Sequence, residues 1–132
     1  MAAALAALVT GCGAPQACTL IGFVPAVAVD VSAVAPDPAA VEATICSDDE
    51  CGTAELVVTP GEPTLAVWRR DEIPDRPELD VRLTLVDAET GDELYRGSGR
   101  ARPEVIEVNG PGCGESLDLP TLTARPDGVL GT

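Results

Sequence analysis

Between Cys46 and Cys51 the chain can fold back in one useful register. If the two cysteines face each other across Ser47-Asp48-Asp49-Glu50, then Ile45 meets Gly52, Ala43 meets Ala54 and Val41 meets Leu56. All of these lie on one face. Thr44 and Thr53 meet on the other face, as do Glu42 and Glu55, beside the cysteines. A half-buried antiparallel hairpin needs this separation of apolar from polar residues, and a slip by one residue would reverse it. Cross-strand neighbours bring Cβ atoms within bridging distance, which makes Cys46–Cys51 the first expected disulfide. The one unfavourable pair is Glu42 opposite Glu55.

The same period of two recurs along the chain, and helical periodicity is absent. Val27, Val29 and Val31 alternate with Ala28, Asp30 and Ser32 until Pro36-Asp37-Pro38 ends the strand. Thr64 to Arg70 forms a strand stopped by the stretch Pro74 to Pro77. Leu79, Val81, Leu83 and Leu85 alternate with Asp80, Arg82 and Thr84. Asp87 to Asp92 is a turn in which Gly91 supplies a positive φ, and Glu93 to Arg96 returns antiparallel. Gly97-Ser98-Gly99 reads as a flexible turn. Glu104 to Val108 is cut by Asn109-Gly110-Pro111-Gly112, and a last hairpin runs through Leu117, Leu119 and Leu122 to Val129 and Leu130. About seven strands with turns every 8–12 residues predict an all-β fold, an antiparallel β-sandwich with immunoglobulin-like or transthyretin-like layering. The Cys–Trp–Cys spacing of true immunoglobulin domains is not met, because Trp68 lies too far from Cys46 and Cys113.

The core of such a domain is aliphatic. Phe23, Trp68 and Tyr95 are the only aromatic residues among 132, so each buried Val, Leu or Ile contributes about 1.5–3 kcal/mol with little help from rings. Twenty-two acidic residues against eight basic ones give a net charge of −14. A field of that sign repels nucleic acid, and no nucleic-acid partner is expected.

The N-terminus accounts for the fifth cysteine. Met1 to Val9 is apolar, and Leu8-Val9-Thr10-Gly11-Cys12 resembles the lipobox of bacterial lipoproteins. That resemblance implies removal of residues 1–11 as a signal peptide and attachment of diacylglycerol to Cys12. No basic residue precedes the apolar run, as it would if the true start lay further upstream. With Cys12 lipidated, Cys18 and Cys113 remain as a second pair, closing almost the whole domain in an oxidising compartment. Residues 12–17 are then a lipidated tether and 18–132 the β-domain. Six peptide units from Cys12 to Cys18 reach at most roughly 20 Å, so the domain would sit against the membrane.

Taken together, the lipobox, Cys18-Thr19-Leu20-Ile21-Gly22, the Cys46–Cys51 hairpin and Asn109-Gly110-Pro111-Gly112-Cys113 resemble small actinobacterial lipoproteins of unknown function. Those relatives often carry further cysteines after the Ile-Gly pair and after the Asn-Gly-Pro loop. Here Phe23 takes the first place, and no cysteine follows Cys113. The resemblance implies an extracytoplasmic β-sandwich and no reaction.

Catalytic signals are weak. Without histidine, imidazole triads and the usual zinc sites are excluded. Ser98 lacks the Gly-x-Ser-x-Gly context of a nucleophile elbow, since position 96 is Arg. The acidic loops at Ser47–Glu50 and Asp87–Glu93 lack the donor order of a calcium loop. No metal and no cofactor are expected. Two features mark a possible partner contact. If Leu65 and Val67 point inward, Trp68 is exposed beside Arg69 and Arg70, as an interface anchor would be; if the strand is buried on both faces, Trp68 is the main core ring. Arg96, Arg100 and Arg102 either meet an anionic partner or pair with neighbouring carboxylates. The expectation is a membrane-anchored binding or accessory module for an envelope protein or wall polymer. The alternatives are a small envelope hydrolase using paired carboxylates, or an ion- or ligand-binding surface protein.

Overall fold

Alternating burial marks the segments Ala26–Asp30, Val41–Ser47, Leu79–Asp87 and Leu122–Ala124. In the computed structural model, which describes Cys18 and residues 23–132, ten strands form: β1 (Ala26–Asp30), β2 (Val41–Ser47), β3 (Glu50–Val57), β4 (Leu65–Arg69), β5 (Leu79–Asp87), β6 (Glu93–Ala101), β7 (Glu104–Ile106), β8 (Ser116–Asp118), β9 (Leu122–Ala124) and β10 (Leu130–Gly131). The expected signal peptide, the lipidated Cys12 and its tether lie outside the described residues. Among the described residues, no helix is long and apolar enough to cross a membrane.

The fold is all-β and mostly antiparallel. Eight strands form one sheet in the order β10-β9-β1-β4-β3-β2-β5-β6, and β7 pairs with β8 separately. The sheet turns its corner within β3. This strand pairs with β2 from Glu50 to Ala54, then with β4 from Glu55 to Val57. At the opposite edges Ser98 bridges Val129, and the Ser98 amide donates to the Gly128 carbonyl at 3.1 Å, so the sheet closes into a near-barrel. The interior holds Val27, Val29, Val31, Ile45, Val81, Leu83, Leu85 and Leu122, all essentially inaccessible to solvent. Each is an apolar member of a period-two pattern.

Three local expectations are corrected. Gly97-Ser98-Gly99 is no turn but the middle of β6, with Gly99 opposite Val81 and Gly97 opposite Leu83. Both glycines face inward, where Leu130 crosses them. A Cβ at Gly97 would lie 2.9 Å from Leu130 Cδ2, and one at Gly99 would collide with the Leu130 carbonyl oxygen. The missing side chains let the closing strand approach. Next, the sheet is not antiparallel throughout, because β1 runs parallel to β9, with Val29 opposite Leu122. Finally, the β2–β3 ladder keeps the expected register from Ser47↔Glu50 to Ala43↔Ala54 but stops before Glu42 and Glu55. Like charges directly opposite are destabilising, and the strands separate where that pair would form.

The β5–β6 turn is built as the sequence suggests, with Gly91 at φ 75°. The Thr90 and Glu89 amides both donate to Asp87 Oδ1 at 2.9 Å and hold that carboxyl below its ordinary range. A depressed folded-state value contributes stability above the unfolded pKa, and that contribution is lost as pH falls through the folded value.

Two outcomes follow for equilibrium unfolding in urea. Gly99→Ala lowers stability by roughly 1–3 kcal/mol through overpacking at the seam, while Ser98→Ala stays within about 0.5 kcal/mol. Asp87→Ala melts below wild type at neutral pH, and the gap narrows as pH falls below about 4.

Candidate functional site

The surface around Trp68 is set by β4 register. Val67 stands opposite Glu55 and Ala66 opposite Leu56, so Ala66 and Trp68 share the inner face with Ala54 and Gly52. Trp68 is half-buried and packs against the core. Its indole occupies the space a side chain at position 52 would need. The exposed-Trp arrangement, with Leu65 and Val67 inward, is therefore not the one formed: Leu65 and Val67 take the outer face and remain half-buried.

Arg70 covers the indole from the solvent side, with its guanidinium carbon 4.2 Å from the ring centroid. Its side chain is only 12% exposed and forms an ion pair with Glu50 at the tip of the β2–β3 hairpin. Its Nη1 is buried without a hydrogen-bond partner. A cation stacked on a partly desolvated Trp contributes about 0.5–2 kcal/mol, so Arg70 acts here as part of the packing. Arg69 is exposed and makes no ion pair among the described residues.

The other arginines separate into paired and unpaired. Arg96 meets Glu93 at 2.7 Å, and Arg100 lies 3.3 Å from Asp80 and 3.4 Å from Glu78. Exposed pairs of this kind contribute about 0–1 kcal/mol each. Arg102 is exposed and, like Arg69, has no ion pair among the described residues. Arg69, Arg70, Arg100 and Arg102 all lie at the end of the barrel where β1 begins, since Ala26 pairs with Arg69 and Leu79 with Ala101. Arg96 stands apart, toward the opposite end.

Sequence reasoning missed a cleft of about 540 Å³ on the outer face of β5 and β6. Arg76, Arg82, Ser98 and Arg100 line it together with Asp48, Asp49 and Asp80. Asp48 organises this cleft. Its carboxylate pairs with Arg76 at 2.9 Å and accepts the Asp80 amide at 3.2 Å, while its carbonyl accepts from Arg82 at 3.1 Å. These contacts fix the hairpin tip against β5, and Arg76 and Arg100 are both paired with carboxylates. The one sequence signal was the alternation of Leu79 to Leu85, which puts Asp80 and Arg82 on the outer face; Ser98 and Arg100 join them because β6 continues through the glycines.

Both expected disulfides are present. Cys46–Cys51 crosses the hairpin with Cα atoms 4.0 Å apart, and Cys18–Cys113 joins positions 95 residues apart. Among the described residues, no three His, Cys, Asp or Glu side chains converge as metal ligands would. Comparison with known proteins finds no matching family model, no similar curated protein and no similar solved structure.

Trp68 is the only tryptophan, which makes its placement directly measurable. Its fluorescence should be only partly quenched by acrylamide in the folded protein. Trp68→Ala should lower stability by roughly 3 kcal/mol, and Arg69→Ala by less than about 0.5 kcal/mol.

Proposed function

We propose that this chain is a lipid-anchored extracytoplasmic module that works by contact and not by catalysis. The cysteine pairing carries the reading. The four cysteines among the described residues bridge each other, so Cys12, which closes Leu8-Val9-Thr10-Gly11-Cys12, stands outside both bridges. Structural disulfides persist in oxidising compartments, and the N-terminal segment resembles a lipobox, so one compartment accounts for all five sulfurs. We also read the near-barrel as a variant of the two-layer immunoglobulin-like or transthyretin-like sandwich, with β3 as the strand shared between layers.

Geometry supports an orientation as well. Cys18 is held by Cys113, and β1 opens at the end bearing Arg69. A chain anchored at Cys12 would hold this end toward the membrane, within the roughly 20 Å reach of its tether. Arg69 and Arg102, exposed and without ion pairs among the described residues, are then the cations best placed for an anionic envelope partner, with Arg70 and Trp68 behind them as support. Diacylglycerol carries two chains, and two chains anchor stably where one binds only marginally.

Metabolic labelling with an alkyne fatty acid, followed by fractionation of the producing bacterium, tests the anchor. Labelled protein is expected in the membrane fraction, and Cys12→Ser should lose the label and appear in the soluble fraction. An unlabelled Cys12 with the wild-type chain in the soluble fraction would contradict the reading.

A further inference from the structure

β2 and β3 are neighbours at the hairpin tip and part at the far end. Their ladder stops at Ala43↔Ala54. Beyond it, Glu55 to Val57 pair with β4, while Val41 and Glu42 stay paired with Asp87 and Val86 of β5. Between them opens a wedge of about 490 Å³, walled by Pro38, Val41 and Glu42 on one side and Thr53, Ala54 and Leu56 on the other. It lies at the end of the barrel away from Cys18.

The walls define what could fill the wedge. In an antiparallel ladder every second residue turns its N–H and C=O toward the neighbouring strand. Counting from the Ser47↔Glu50 pair at the turn, these residues are Ala43 and Ala54, then Val41 and Leu56. The Val41 amide donates to the Pro38 carbonyl. The Val41 carbonyl and both main-chain groups of Leu56 face the wedge, where the β2–β3 ladder no longer reaches. Val41 and Leu56 present half-buried apolar side chains on the inner face. Glu42 and Glu55 are exposed on the outer face, and neither has an ion pair among the described residues.

We infer that the wedge receives an extended segment of another polypeptide in which apolar and basic residues alternate, added as a short strand between β2 and β3. Its main chain would meet the groups of Val41 and Leu56, as in strand addition to an open sheet edge. Its apolar residues would fill the space between those side chains. A basic residue between them would lie on the outer face beside Glu42 and Glu55 and offset their like charge. The surrounding charge has the right sign: Asp37, Asp87 and Glu89 border the other side of β2, and the nearby Arg96 is engaged by Glu93. This surface lies opposite the arginine-bearing end and does not depend on lipidation of Cys12.

The test uses the full chain with both disulfides intact and a fluorescent six-residue peptide of alternating valine and arginine. A peptide of the same composition, arranged as three valines followed by three arginines, is the comparator. Anisotropy at about 0.15 M salt, where exposed charges more than about 8 Å apart are screened, should show the alternating peptide binding at least about tenfold tighter. Glu42→Gln with Glu55→Gln should weaken it by about tenfold, whereas Asp71→Asn with Glu72→Gln, removing the same charge at the other end, should change it less than about twofold. Hydrogen exchange should show new protection at Leu56 on binding. Equal affinity for the two peptides, equal loss in both double variants, or protection elsewhere overturns the proposal. So does a dimer of this chain that the Glu42 and Glu55 substitutions dissociate, because the occupant would then be a second copy.

Discussion

Closure of the sheet at the β6–β10 seam is the contact on which the rest of the molecule depends. An interior built mainly from Val, Leu, Ile and Ala, with Trp68 and Tyr95 packed at its margin, has few large rings to fill space, so the walls must come close together. Gly97 and Gly99 allow it by letting Leu130 cross β6 without side chains between them. The price is a weak edge, because a single bridge at Ser98↔Val129 joins the two ends of the sheet. Tyr95 reinforces it from below, donating to the Arg125 carbonyl at 2.8 Å. Its phenol is shifted above its ordinary pKa by burial and by the Asp127 carboxylate, so that hydrogen bond persists well into the alkaline range.

Charge follows the same plan of satisfying neighbours at short range. Asp48 gathers Arg76, Arg82 and the Asp80 amide around the hairpin tip, and Arg70 pairs with Glu50 while covering Trp68. These contacts pin the β2–β3 turn to both β4 and β5. At the far end Glu42 and Glu55 have no ion pair among the described residues, and the sheet opens there. One end of the barrel is thus tied by disulfide and arginine contacts, and the other opens where β3 leaves β2 for β4, beside Glu42 and Glu55.

Much of the fold was legible because the sequence keeps local rules. The valines of β1, the leucines of β5 and the β2–β3 register follow from period two alone, and the Gly91 turn follows from its φ. What stayed hidden depends on partners distant in the chain. Gly97 and Gly99 read as a turn because Leu130, which they make room for, lies some thirty residues later. The parallel β1–β9 pairing has no local signature. The face chosen by Trp68 could have been found, since the hairpin register points Gly52 inward and leaves a space that suits a ring. The separation at Glu42 and Glu55 was visible as an unfavourable pair, but a sequence alone does not show that β4 offers β3 an alternative neighbour. Arginine partners were the least legible, because exposed side chains choose among many carboxylates.

The division of five sulfurs underlies both the architecture and the proposed function, and peptide mapping of the unreduced protein tests it most directly. Digestion followed by mass spectrometry should recover one linked pair containing Cys46 and Cys51 and another containing Cys18 and Cys113, with Cys12 in neither. A bridge that includes Cys12, or an exchange of partners between the two pairs, would contradict both the architecture and the function drawn from it.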